Sequence, residues 1–352
     1  MNINKSGGRL KELDALRGIA AVLVMIFHFT WQIDKGLPGA ASPPVGLWWG
    51  RYGVELFFAI SGFVIFMTLE RTERAQDFVV SRFSRLFPAY WAGIIITSIA
   101  VRVLPEPHLA HPVQDILLNF TMVQGFFYRF NIDAVYWTLT VELAFYACML
   151  GLWRLRALGR IEAVLIGWLA FKLVWWAYPN LPYRVSMIFL LEYIPYFALG
   201  IAVYRVWVGA RQWVQQIPVL SLACLAATLD DPAKHFYVFV IVLGVMIAME
   251  RGWLARLQHP FAVWMGALSY PLYLIHENIG WAIMDHLGRT GMSPWLTMCA
   301  AIVVSVALAA FINTVIEKPI QGKIRTWWKR RRVAAHPKPI APLASDANVP
   351  IL

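Results

Sequence analysis

The chain has 352 residues, of which 59% are hydrophobic and only 14% charged, with 17 Trp and a net charge of +11. A soluble domain carries about 25% charge, so this composition excludes an ordinary water-soluble enzyme and describes a membrane protein. The positive charge does not signal nucleic acid, because most Lys and Arg sit in short clusters between hydrophobic runs, as the positive-inside bias requires. Cys148, Cys224 and Cys299 all lie in apolar runs and form neither a disulfide framework nor a metal-binding spacing.

Hydrophobic periodicity predicts ten membrane helices, at about 13–33, 50–70, 86–104, 135–153, 161–178, 187–207, 216–230, 235–250, 262–287 and 294–317. The seventh and eighth are the weakest, and the seventh is short for a crossing. Orientation follows from the basic residues. Lys5, Arg9 and Lys11, then Arg71 to Arg85, Arg154 to Arg160, Arg205 with Arg211, Arg251 with Arg256, and the basic tail all fall on one side. The other side holds only Lys35, Arg51, Arg129, Arg184, Lys234 and Arg289. The fold expected is therefore all-α, a polytopic membrane helix bundle of about ten transmembrane helices with both termini cytoplasmic. Residues 1–320 read as one integral-membrane domain. Residues 321–352 read as a cytoplasmic tail, first basic and then disordered.

The first span runs from Leu13 to Phe29 and beyond, and it carries Arg17 near its start and His28 eleven residues later. At ~1.5 Å per residue the two are about 16 Å apart along the axis, and three turns bring them to one side. Lys5, Arg9 and Lys11 resemble the start of a secretion signal, but Arg17 and His28 interrupt its core and further spans follow, so it reads as a retained helix. Ionisable groups inside a bilayer are costly and face a protein interior where they act. The plainer alternative is that Arg17 reaches the headgroups while His28 bonds a neighbouring helix.

The second span holds Glu55 about a turn inside the outer boundary, followed by Ser61-Gly62, a pair suited to close helix packing. Before the third span, Arg82 and Arg85 share a helical face in Ser81-Arg82-Phe83-Ser84-Arg85-Leu86-Phe87-Pro88-Ala89-Tyr90. Arginine grips phosphate through bidentate, charge-assisted bonds, although positive-inside anchoring also explains such pairs. The external segment 105–134 contains an apolar patch from Ile116 to Phe127 that lies on or dips into the membrane. The fourth span opens Tyr136-Trp137-Thr138-Leu139-Thr140-Val141-Glu142, with Tyr146 one turn on. Glu142 falls roughly 10 Å below the outer boundary and His28 roughly 8 Å, with Glu55 near that level. The shared layer predicts an acid–base pair between His28 and Glu142. In the ninth span, Ser269, Tyr273 and His276 stand in Ser-Tyr-Pro-Leu-Tyr-Leu-Ile-His, with His276 as a supporting group. Glu317-Lys318-Pro319 closes the tenth as a cap or ion pair.

These strings resemble the bacterial integral-membrane acyltransferase family 3, the O-acyltransferases of surface polysaccharides and related acceptors. The resemblance rests on Arg17 with His28, on Arg82 with Arg85 and the following Leu-x-Pro-x-Tyr, on Trp137 to Tyr146, on Ser269 to His276, and on Glu317-x-Pro319. Thr138 and Thr140 stand where Ser is commoner, and Glu55 where Asp is frequent. The resemblance implies transfer of an acyl group, acetyl first among them, from cytoplasmic acyl-CoA to a hydroxyl of a cell-surface or exported glycan or lipid-linked saccharide. It implies a multi-pass protein of the bacterial inner membrane, in contact with membrane lipids and with acyl-CoA as a donor substrate, with no permanently bound cofactor, no metal and no nucleic-acid partner. Arg82 and Arg85 would hold the CoA phosphates, Arg17 would line the channel, and His28 would act as base or as transient acyl carrier with Glu142 orienting it. A proton-coupled transporter or flippase is the alternative, but such carriers show related halves and no internal repeat is visible. A non-catalytic export subunit is the third reading.

Overall fold

The computed structural model describes residues 10–40, 42–104, 106–178, 182–229 and 231–335. Among them are fourteen α-helices and no strand. They are α1 Lys11–Phe27, α2 Ile33–Gly36, α3 Gly53–Glu70, α4 Ala75–Val103, α5 Val113–Asn119, α6 Trp137–Arg154 and α7 Ile161–Ala177. Then come α8 Tyr183–Ile188, α9 Ile194–Trp207, α10 Trp213–Ala227, α11 Pro232–Glu250, α12 Pro260–Gly288, α13 Pro294–Phe311 and α14 Lys318–Ala335. The chain is an all-α bundle of apolar helices, as expected.

All ten expected spans coincide with helical stretches. Seven are long and apolar enough to cross a membrane by length and composition: Lys11–Gly36, Trp48–Glu70, Ala75–Val103, Ala134–Arg154, Tyr183–Trp207, Pro232–Glu250 and Pro294–Arg332. Of the rest, α7 has 17 residues and α10 has 15. Helix α12 has 29 residues, but its Ser-Tyr-Pro and His-Glu-Asn stretches lower its hydropathy. Its residues from Leu268 to Ala282 are all buried. A helix enclosed by other helices needs partners more than it needs lipid solubility. The basic run after the last span is helical too, as α14. The disordered stretch expected beyond it falls on residues 336–352, outside the described residues, as do Lys5 and Arg9.

Helix α12 is the hub, packed against α1, α13 and α4, while α3 packs on α9. Two glycine contacts set these approaches. A Cβ on Gly266 of α12 would stand 2.0 Å from the Asp14 carbonyl oxygen of α1, and one on Gly18 would stand 2.8 Å from the Gly266 nitrogen. Across the other interface, a Cβ on Gly200 would lie 1.8 Å from the Ala59 oxygen, and one on Gly62 would lie 2.2 Å from the Phe197 oxygen. Both pairs let backbones touch, as small residues do between apolar helices. The Ser61-Gly62 packing role is thus filled by Gly62.

Two π-helical turns interrupt otherwise regular helices. One spans His28–Gln32 after α1; the other spans Ile312–Glu317 between α13 and α14. Such turns re-aim side chains and occur often at functional sites. Pro271, inside α12, removes the amide that would bond the Ala267 carbonyl. That carbonyl accepts instead from Asn313 Nδ2 at 3.0 Å, and the same amide reaches Glu317 Oε2 at 3.1 Å. The segment 106–134, expected to be external, is folded against α4. Trp91 Nε1 donates to the Phe120 carbonyl at 2.9 Å, and Asn119 Nδ2 donates to the carbonyls of Asp115 and Phe130. Its end delivers Asp133 to the bundle interior, where it is fully buried.

Gly266→Val should lower the stability of the solubilised protein by about 1–3 kcal/mol or prevent folding, because the clash is with backbone. Gly244→Ala, where nothing lies within 4 Å, should leave the thermal midpoint unchanged or raise it. Midpoints measured in detergent by tryptophan fluorescence check both; equal midpoints would contradict the tight α1–α12 contact.

Candidate active site

A cavity of about 260 Å³ runs between α1, α3, α4, α6 and α12. Its basic end is lined by Leu10, Asp14, Arg17, Arg82 and Arg85, and its far end by Thr138 and Tyr273. Each helix contributes by its period. Arg82 and Arg85, three apart on α4, present one face to the cavity, and Thr138, Glu142 and Tyr146 do the same on α6. Neither Arg82 nor Arg85 forms an ion pair with a carboxylate within 4.0 Å among the described residues. The Nε of Arg82 is buried with no hydrogen-bond partner, and its guanidinium lies 6.0 Å from the Tyr146 ring centre. Glu142 accepts from the Tyr146 hydroxyl and, at 3.4 Å, from Ser61 Oγ. Ser269 Oγ donates to the Gly266 carbonyl at 2.8 Å. At the far end, Thr138 Oγ1 bonds the Tyr273 hydroxyl at 2.9 Å.

Behind Tyr273 lies a second, buried polar cluster. The ring of Tyr273 is 5.9 Å from that of His276. His276 Nδ1 lies 3.1 Å from the Leu272 carbonyl and 3.0 Å from the Tyr273 carbonyl. A carbonyl only accepts, so in the neutral ring Nδ1 carries the proton and Nε2 is the acceptor. That Nε2 lies 3.0 Å from His28 Nδ1, which is itself 2.9 Å from the Val24 carbonyl. His28 Nδ1 is therefore the donor of the pair. The lone pair is left on His28 Nε2, which lies 3.5 Å from Glu277 Oε1. Trp281 Nε1 donates to the His28 carbonyl at 2.9 Å and holds the π-turn in place. The Val24 carbonyl on α1 and, through His276, two backbone carbonyls on α12 agree in leaving Nε2 the basic nitrogen of His28.

Glu277 Oε2 accepts from the Val135 amide at 3.0 Å, and Asp133 Oδ2 accepts from the Asn278 amide at 3.2 Å. Asp133 Oδ1 also accepts from the Val135 amide, at 3.4 Å, so the two carboxyl groups share one backbone donor beside His28. Among the described residues no group of three or more His, Cys, Asp or Glu is placed to hold a metal ion.

A model of the acyltransferase domain family matches residues 10–314. The chain belongs to this family. It is an O-acyltransferase, and the match covers both the cavity and the buried cluster. Nodulation protein 10 of Rhizobium leguminosarum bv. viciae is 27% identical over 94% of this chain and 98% of its own length. The exopolysaccharide production protein ExoZ of Rhizobium meliloti (strain 1021) is 23% identical over 81% and 93%. The acyltransferase MdmB of Streptomyces mycarofaciens is 24% identical over 94% and 96%. No solved structure matches the chain.

The residues expected at this acyltransferase's site fall in three places. Arg17, Arg82, Arg85, Glu142, Tyr146, Ser269 and Tyr273 line the cavity. His28 and His276 meet behind it. Glu55 stands apart, with Oε2 buried and unpartnered, in electrostatic reach of Arg51, Tyr193 and Tyr196. The expected pairing of His28 with Glu142 is corrected: Glu142 is held by Tyr146 and Ser61, and the carboxylate beside His28 is Glu277. Similar depth fixes one coordinate only. Direction around the bundle decides contact, and α12, not α6, is the helix laid along α1. Glu277 and Asp133 were missed, although a His-Glu-Asn triplet inside an apolar helix is itself a functional signal.

Glu277→Gln removes the charge facing His28 Nε2 and should lower acyl transfer by about 10²-fold or more. Glu142→Gln should leave the His28 cluster intact and act on donor use instead. Initial rates in membrane vesicles at varied donor concentration check this; Glu142→Gln mimicking Glu277→Gln in every kinetic constant would contradict the two-cluster layout.

Proposed function

We propose that this acyltransferase moves an acyl group, acetyl first among the candidates, from cytoplasmic acyl-CoA to a hydroxyl of a cell-surface or exported glycan or lipid-linked saccharide. It does so as a multi-pass protein of the bacterial inner membrane with both termini in the cytoplasm. The observation that carries this reading is the cavity: unpaired arginines at one end, polar groups along its wall, and a histidine pair just beyond the other. The placing of the arginine end at the cytoplasmic face rests on the bias of the basic residues. The exopolysaccharide function named for one relative supports a glycan acceptor.

The chemistry follows from the donor and acceptor positions. Arg82 and Arg85 hold the CoA phosphates, and the pantetheine arm lies along the cavity. Glu142, Tyr146 and Ser61 supply its polar wall. His28 Nε2 takes the proton from the acceptor hydroxyl as its oxygen attacks the thioester carbonyl. The carbon–oxygen ester bond forms, the carbon–sulfur bond breaks, and the thiolate leaves to collect the proton as free CoA. In an acyl-histidine relay the same Nε2 lone pair would take the acyl group first, so both routes need the tautomer that the Val24 carbonyl and His276 favour. Glu277 stabilises the charged imidazole in either.

Membranes carrying the protein should transfer label from radioactive acetyl-CoA to glycan, and mass spectrometry of surface glycans with and without the gene should differ by acetyl groups. Absence of both signals would overturn the donor and acceptor reading.

His28→Ala should abolish transfer while the protein still accumulates in the membrane. A well-expressed variant that keeps more than about a tenth of the rate would remove His28 from the chemistry. Arg85→Ala should cost about 1.5–3 kcal/mol of donor binding, or roughly one to two decades in donor KM. An unchanged donor KM would return this arginine to membrane anchoring.

A further inference from the structure

Helix α14 lies along the start of α4 and is held there by specific bonds. Trp328 Nε1 donates to Asp77 Oδ1 at 2.7 Å. Arg332 pairs with Asp77 at 3.1 Å and with Glu73 at 3.3 Å. One turn further along α4, Val79, Val80 and Phe83 share a groove with Lys323, Ile324 and Trp327. Position 77 thus meets 328 and 332, while 79–83 meet 323–327, so the helices run antiparallel. That register brings Arg325, beside Ile324, to the stretch holding Arg82 and Arg85, and its guanidinium lies within electrostatic reach of both.

The convergence is unusual in what it lacks. Arg325 is exposed, and no carboxylate lies within 4.0 Å of it, of Arg82 or of Arg85 among the described residues. The nearby acid, Glu317, feels Arg85 but is bound by Asn313. The acids of this face, Asp77 and Glu73, are instead taken up by Arg332. Three like charges gathered with no carboxylate in direct contact repel one another. A polyanion would remove that cost, and arginine matches phosphate oxygens best.

The donor carries its phosphates in a fixed order from the thioester: first the diphosphate, then the 3′-phosphate of the adenosine. Arg82 and Arg85 line the cavity and Arg325 does not. We infer that Arg325 is the third arginine of the donor site and binds the 3′-phosphate, while Arg82 and Arg85 hold the diphosphate. This rests on the donor reading above. A phosphate oxygen of an anionic lipid headgroup presents the same chemistry, so the test separates the two sources.

The test measures binding of CoA and of 3′-dephospho-CoA to the purified full-length protein in nanodiscs, made of phosphatidylcholine alone or with phosphatidylglycerol. The wild type should prefer CoA by about tenfold or more, the worth of one charge-assisted contact. Arg325→Ala should bring that preference close to one, leave affinity for 3′-dephospho-CoA unchanged, and do so in both lipid mixtures. Arg325→Lys, which keeps the charge, should restore part of the preference. An unaltered preference in Arg325→Ala, or no preference in the wild type, overturns the inference. A loss seen only with phosphatidylglycerol overturns it as well and assigns the anion to a headgroup. If the wild type binds neither nucleotide, or Arg85→Ala leaves CoA binding untouched, the donor reading itself fails. Arg85→Ala weakening both nucleotides while Arg325→Ala spares their ratio sinks only the 3′-phosphate assignment.

Discussion

An imidazole buried in an apolar bundle needs a partner for each ring nitrogen, and α1 and α12 answer that need for each other. The two helices run in the same direction. Gly18 meets Gly266 at one level, and ten residues on His28 meets His276. Equal spacing on both helices, about 15 Å, keeps them in register from one contact to the other. The glycines let the backbones close; the closeness brings two histidine rings to hydrogen-bonding distance. Any residue that pushed the helices apart at Gly266 would also loosen the pair that decides the tautomer of His28. Packing and chemistry are therefore one constraint, applied at two heights.

The treatment of charge elsewhere shows how selective the cavity is. Arg205 is buried between Glu70 and Glu162, each at 3.0 Å, and Arg211 reaches the same Glu162 at 3.1 Å. Tyr204 and Gln216 complete that network. Arg289 is held by Glu106 and Asp285. These arginines are each neutralised by two carboxylates or share one. Arg82 and Arg85 face the cavity without such an ion pair among the described residues, and a ligand with negative charge is the simplest counterpart. The same economy appears in the backbone, where the carbonyl freed by Pro271 finds Asn313 rather than remaining unbonded in the core.

Reading the sequence located the helices because hydrophobic period and length are local properties. It located the cavity wall for the same reason: Arg82 with Arg85, and Glu142 with Tyr146, are neighbours on single helices. What it missed was set by helix order around the bundle. His28, Glu142 and Glu55 share a depth, yet they face different neighbours, and nothing local in the chain states an azimuth. Asp133 looked like a residue of an outer loop because it precedes a span. Only the fold of that segment onto α4, through Trp91 and Asn119, turns it inward to Glu277. Helix α12, the least lipid-like of the long spans, turned out to be the centre, and its polar residues are the reason for both facts.

One geometric fact remains for the proposed reaction to meet. Thr138 and Tyr273, bonded to each other, line the cavity, whereas His28 and His276 do not and meet beyond the Tyr273 ring. On the proposed reading the thioester must reach past this bond, or the bond must open when the donor arrives. Both hydroxyls also contact the Val135 carbonyl, and the Val135 amide is the donor to Glu277. The closure at the cavity's end and the carboxylate beside His28 are thus tied through one peptide segment. A donor that displaced Tyr273 would disturb the segment that holds Glu277, so filling the cavity and readying His28 are mechanically linked.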